Sequence, residues 1–193
     1  WKELLPFATA AAGPSSPPEA RCMAFFLLEK ITDGSEESAL AHSTSLASLY
    51  MGALSDPSPA ALPAGCAALK AATALLEAIK DNAQRRQMEP LLPHMLRVLG
   101  EALTQNNEVE ARELLEALGR LAGVAPMYFR KNTAELASAM ITVGSACQLE
   151  FSTRSAAVEL LLTVCEQAPA VMRQTPAFIP ELLRVLLQMT CEV

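Results

Sequence analysis

Aromatic residues are scarce in this 193-residue chain: 5% in all, with one Trp and two Tyr. A chain that is nonetheless 51% hydrophobic draws its apolar content mainly from Ala and Leu, both strong helix formers. No segment alternates apolar and polar residues in the manner of a strand, and no Gly-rich loop suited to phosphate occurs among the 8 glycines. Histidine is almost missing. His42 and His94 have no carboxylate or cysteine at ligand spacing, so neither a metal site nor a cofactor is expected. The five cysteines, Cys22, Cys66, Cys147, Cys165 and Cys191, form no Cys-x-x-Cys pair. They read as small buried hydrophobes in a reducing compartment.

Positive charge is also in short supply. Fifteen Lys and Arg face 21 Asp and Glu, a net charge of −6. That balance argues against the nucleic-acid backbone as a direct partner and suits a basic protein segment. No strongly apolar uncharged window of ~18 residues is apparent, so no membrane span is expected. The chain opens on Trp1 rather than Met, and Glu3 does not fit the basic start of a signal peptide; a piece of a longer protein is expected. Catalysis has little to stand on. Glu36-Glu37 and Glu113 with Glu116 could be imagined as acid/base pairs, but exposed helix faces offer no pocket to shift them, and no enzyme is expected.

What is present is a repeat. Ala125-Pro126, Arg130 and Ala134 recur as Ala168-Pro169, Arg173 and Ala177, each 43 residues on. Leu5-Pro6, Leu92-Pro93 and Ile179-Pro180 recur in steps of 87, two such periods. A period of ~40–47 residues belongs to HEAT or armadillo helix pairs. The expected fold is all-α, a HEAT-repeat α-α solenoid of four helix pairs plus an extra helix, in one domain over 1–193. Its repeats fall at about 1–34, 35–82, 83–124, 125–168 and, in part, 169–193. Helices are expected over 1–12, 17–32, 36–54, a fourth reaching Asp81, 85–105, 107–123, 126–148, 152–167 and 169–190. Pro90 and Pro93 should kink the fifth. Leu4, Leu5 and Phe7, and Leu182, Leu186, Leu187 and Met189, should be less buried than their central counterparts.

Two charge patterns ride on the second helix of each pair. Arg21, Arg112 and Arg154 sit in the first turns and should pair with acidic turn residues of a neighbouring repeat. Glu29, Thr73, Glu116 and Glu159 share one register, and Asp33, Glu77, Arg120 and Thr163 the next, one turn on. The candidate binding residues are therefore Glu29, Asp33, Glu77, Glu116, Glu159 and Glu166, on a concave face that would receive basic segments. The plainer reading of that stripe is a solvated surface. Gly119 and Gly123 match small-x-x-x-small spacing, read as close packing and a helix end at Gly123.

Trp1-Lys2-Glu3-Leu4-Leu5-Pro6-Phe7 resembles a stretch in the amino-terminal repeats of importin-β (karyopherin-β) receptors, with Lys2 where the family has Pro. Glu110-Ala111, Leu114 to Leu118, Phe129-Arg130, Ser152-Thr153-Arg154 and Phe178-Ile179-Pro180 are similar to the karyopherin-β3 branch. The resemblance covers most of the chain and is weakest over 34–65. It implies a non-catalytic nuclear import receptor shuttling between cytoplasm and nucleus, binding basic cargo proteins and Ran-GTP, with nucleoporins as further partners. The repeat taken without the resemblance also fits a structural HEAT scaffold subunit unrelated to Ran.

Overall fold

The computed structural model describes residues 3–192, so Trp1 and Lys2 of the amino-terminal motif lie outside the described residues. Among the described residues there are helices and no strands. They form two compact units, up to Gln105 and from Asn106 onward.

The first unit contains α1 (Leu4–Ala11), α2 (Pro18–Gly34), α3 (Glu36–Ala41), α4 (Ser43–Leu54), α5 (Leu62–Ala78), α6 (Asn82–Gln87) and α7 (Leu91–Thr104). Its main packing is α2 against α5, with α1 on α2, α4 on α5, and α7 on both α4 and α5. The composition of α5 explains why it lies at the centre. Ala64, Ala68, Ala71 and Ala72 are fully buried, and small side chains on several faces admit several neighbours at once. A Cβ on Gly65 would meet Val98 of α7 at 3.4 Å. Phe25 and Tyr50, ring centroids 6.0 Å apart, fill the space between α2 and α4. By length and composition, Pro59–Ala78 could cross a membrane, which corrects the expectation of no such segment. Its candidate window is 72% buried inside the protein, so this apolarity is spent on the unit's core.

The second unit contains α8 (Glu108–Val124), α9 (Thr133–Ser145), α10 (Phe151–Gln167), α11 (Pro169–Met172) and α12 (Ile179–Cys191). Here α10 is central, packed on α8 and α9, while α12 rests on α9. The sequence echo has a backbone counterpart: Ala125 (φ −135°, ψ 57°) and Ala168 (φ −134°, ψ 56°) start the following turns in the same conformation.

Several expected helices are broken. The helix placed at 36–54 is interrupted at His42, whose φ of −112° is not helical. Ser43 turns inward there, its hydroxyl accepting from Gln84 at 2.7 Å. The helix placed at 85–105 is not kinked but divided into α6 and α7; Pro90 lacks the N–H that would continue it, while Pro93 falls in the first turn of α7, where that loss is tolerated. The fourth helix ends at Ala78 because Ile79 is extended, and Asp81 instead caps α6 by accepting from the Ala83 amide at 2.9 Å. Residues 126–132 form a 3-10 turn before α9, and 169–190 is split by a second one at Pro176–Phe178.

Three smaller expectations also change. Cys66 alone is buried among the cysteines; Cys22 and Cys165 are half-buried, and Cys147 and Cys191 are exposed. A side chain at Gly119 or Gly123 would meet nothing within 4 Å, so no close packing uses them, and α8 continues to Val124. Phe7 and Leu187 stand in solvent, whereas Leu5, Leu182 and Met189 are buried. Leu183 is 55% exposed where its counterpart on α7, Leu96, is 8% exposed.

Among the glycines of the second unit, Gly144 stands closest to its neighbours: a Cβ there would lie 3.0 Å from both Val158 and Val185. Gly144→Val forces α9 away from α10 and α12 together. It should destabilise the chain by about 1–3 kcal/mol, read from the shift in the urea midpoint.

Candidate protein-binding surface

Arginine organises the joints between repeats. Arg21 on α2 faces Asp56 in the turn before α5 at 3.5 Å. Arg112 on α8 reaches Glu150 at 3.4 Å and the Ser152 hydroxyl at 3.0 Å, both at the start of α10. Arg154 on α10 donates to the Gly144 carbonyl at 2.9 Å and to both oxygens of Glu192, at 3.2 Å for the longer contact. These three first-turn arginines are thus committed to structure, as the ladder reading expects. Arg97 was not singled out by the sequence, since it lies on a first helix. It donates to the Leu54 carbonyl, to the Asp56 carbonyl at 3.1 Å and to Glu101, clamping the same turn from the other side.

The acidic candidates divide between the units. In the first, Glu29 is only 17% exposed at its side chain and pairs with Lys30 at 2.9 Å. Lys30 also holds Asp33 at 3.4 Å and lies 5.5 Å from the Phe26 ring centroid. The hydrogen bond that Lys30 donates to Glu29 is the main influence raising the Lys30 pKa. Thr73, at the register of Glu29, is fully buried and donates to the Lys70 carbonyl at 2.8 Å. Glu77 is half-buried. Burial, with Glu29 adding to it, keeps the Tyr50 hydroxyl protonated far above its usual range. This set is therefore partly neutralised and partly covered.

The second unit is different. Glu116 on α8 and Glu159 on α10 are exposed at the same register of two packed helices, and Glu166 is exposed at the end of α10. Arg120 is exposed one turn beyond Glu116. These acids form a ledge open to solvent, interrupted by one cation.

A cleft of about 330 Å³ beside His42 is lined by Leu5, Pro6, Thr9, Ser45 and Leu49, with no carboxylate. Among the described residues no group of three or more His, Cys, Asp and Glu could hold a metal ion.

Helix pairs on a ~43-residue period, joined through arginine and acid, define a helical-repeat protein of the HEAT kind; the period exceeds the 34 residues of a tetratricopeptide unit. Residues 1–139 match the family model described as "IPO5-like, TPR repeats", and residues 146–193 match "Importin repeat". The chain belongs to the IPO5-like importin family. Solved structures of Kap121p share its fold: bound to Nup53p, TM-score 0.81 at 23% identity; bound to RanGTP, 0.80 at 23%. A Kap121p mutant with three acid-to-lysine changes gives 0.81 at 22%. Each covers 100% of this chain, which spans 18% of the Kap121p chain. No curated protein matches the chain.

The Arg154–Glu192 joint has a consequence for pH. Hydrogen bonding from Arg154, opposed by desolvation and helped by Gln188, holds the Glu192 carboxyl below its usual value of 4.5. A carboxyl depressed on folding stabilises the fold in full at neutral pH, and the contribution fades as pH falls below about 4.5 toward the folded value. Glu192→Gln should therefore lower the urea midpoint at pH 7 and lower it less at pH 3.

Proposed function

We propose that this chain is a binding segment of a nuclear transport receptor, engaged without catalysis in Ran-dependent import of basic protein cargo and shuttling between cytoplasm and nucleus. The observation that carries the reading is membership of the IPO5-like importin family over residues 1–139. The contact surface in this reading is the ledge of Glu116, Glu159 and Glu166, with Glu29, Asp33 and Glu77 as a weaker, partly neutralised set in the first unit. Kap121p supports the chemistry, since three acids spaced about one repeat apart were exchanged for lysine in one of its solved forms. Glu116 and Glu159 have that spacing. Nup53p and RanGTP, bound by Kap121p in its structures, are the partner types proposed for the whole receptor.

An exposed carboxylate–lysine contact contributes only about 0.2–1 kcal/mol, so useful affinity needs several together. Screening over ~10 Å at 0.1 M salt should weaken all of them at once. The test is binding of a lysine-rich peptide to the chain by fluorescence anisotropy, with and without Glu116→Lys plus Glu159→Lys. The double reversal should cut affinity severalfold and flatten its salt dependence, and thermal stability should hold because both residues lie off the core. Unchanged affinity and salt dependence would make the ledge a solvated face.

A further inference from the structure

Not every arginine is committed to structure. Arg130, in the 3-10 turn Pro126–Asn132, and Arg173, directly after α11, are both exposed. Neither side chain makes a hydrogen bond or ion pair among the described residues, in contrast to Arg21, Arg112 and Arg154. Each lies five residues beyond an alanine, Ala125 or Ala168, whose φ and ψ agree within one degree between the two turns. Arg130 and Arg173 thus stand at the same sequence offset from matching alanines in the turns that open successive repeats of one unit. Apolar side chains stand exposed beside the first: Val124 at 55% and Met127 at 45%.

From this we propose that the turns opening successive repeats in the second unit form a docking edge for an extended acidic protein segment. Arg130 and Arg173 would each take one carboxylate, and Met127 with Val124 would take an apolar side chain of the same segment. This is a site separate from the acidic ledge and of opposite charge preference. The spacing favours a peptide. Successive repeats are offset by a helix–helix packing distance, ~8–10 Å. A chain in the extended polyproline II conformation rises ~3.1 Å per residue with three residues per turn, so carboxylates three residues apart share one face and match it. Two cations so spaced on a protein of net charge −6 neutralise too few phosphates for a nucleic-acid strand. Arginine also suits the task because its planar fork can hold a carboxylate through two parallel bonds.

The test uses the 193-residue chain and a fluorescein-labelled peptide with two glutamates three residues apart and a leucine between them. Arg130→Glu with Arg173→Glu should weaken binding about tenfold, and Met127→Ala should weaken it by less. Arg184→Glu is the control, since Arg184 is exposed but already paired with Glu181 at 3.0 Å; it should change binding less than twofold. Circular dichroism should show all variants equally folded, because these side chains lie outside the core. The proposal is overturned if the double reversal leaves peptide binding unchanged, or if Arg184→Glu weakens it as much. A single-stranded oligonucleotide that displaces the peptide would overturn it as well, since the edge would then be reading anionic charge alone.

Discussion

Side-by-side burial of second helices is the constraint on which the rest depends. A single helix pair has two apolar faces and can cover only one of them, so each pair needs a neighbour of matching register. In the first unit α2 meets α5, and in the second α8 meets α10. These contacts are dense because one or both partners present small residues: alanine along α5, and Ala111, Ala117 and Ala122 along α8. Fully buried leucines such as Leu28, Leu75, Leu118 and Leu161 sit behind them, each worth roughly 1.5–3 kcal/mol of transfer free energy. Small residues set the spacing and large ones supply the driving force. The 43-residue period is the sequence expression of that division.

Electrostatics then fixes which turn meets which helix. Arg154 is 3% exposed at its side chain, so its charge is largely desolvated, and the attraction to Glu192 is offset by that cost. Its specific contribution is the bond to the Gly144 carbonyl, a group at the end of α9 that would otherwise be buried without that donor. Arg97 does the same for the Leu54 carbonyl at the end of α4. In both units an arginine from a neighbouring helix closes the carboxyl end of a first helix. The acids that pair with them, Glu101 with Arg97 and Glu192 with Arg154, add direction more than energy. Glu150 extends the scheme, because its backbone amide donates to Glu108 at 2.9 Å while its carboxylate takes Arg112.

How much of this was legible in the sequence follows from what each signal depends on. The repeat, the helix pairs and the Arg21, Arg112 and Arg154 joints depend on residue type at fixed spacing, and all three could be read. The breaks at His42 and at Met88 to Pro90 could not be placed, because they depend on tertiary contacts: Ser43 turning to Gln84, and Met88 being buried. Cys147 lies in an apolar stretch yet is exposed, since the chain after Ser145 leaves the helix and carries it outward. Of the acidic candidates, Asp33, Glu116, Glu159 and Glu166 are exposed, whereas Glu29 and Glu77 are half-buried. Glu29 and Glu116 occupy equivalent positions, but only Glu29 has a lysine beside it able to fold back onto the carboxylate. The clamp Arg97 makes on the turn escaped notice because the groups it holds there are the Leu54 and Asp56 backbone carbonyls, which no sequence pattern displays.

Exposed charge pairs are individually weak, so neither the exposed acids of the second unit nor Arg130 and Arg173 can select a ligand through the strength of one contact. Selection has to come from geometry, and the repeat supplies it. Glu116 and Glu159, like Arg130 and Arg173, stand one repeat apart on frameworks whose cores are buried and whose joints are pinned by other arginines. The spacing is held by the fold and costs nothing to arrange when a partner arrives, which is the condition under which several weak contacts add. A partner with complementary charges at another interval satisfies one contact and strains the next. Rigid register, more than charge density, is therefore what can convert a mildly acidic helical stack into a discriminating surface.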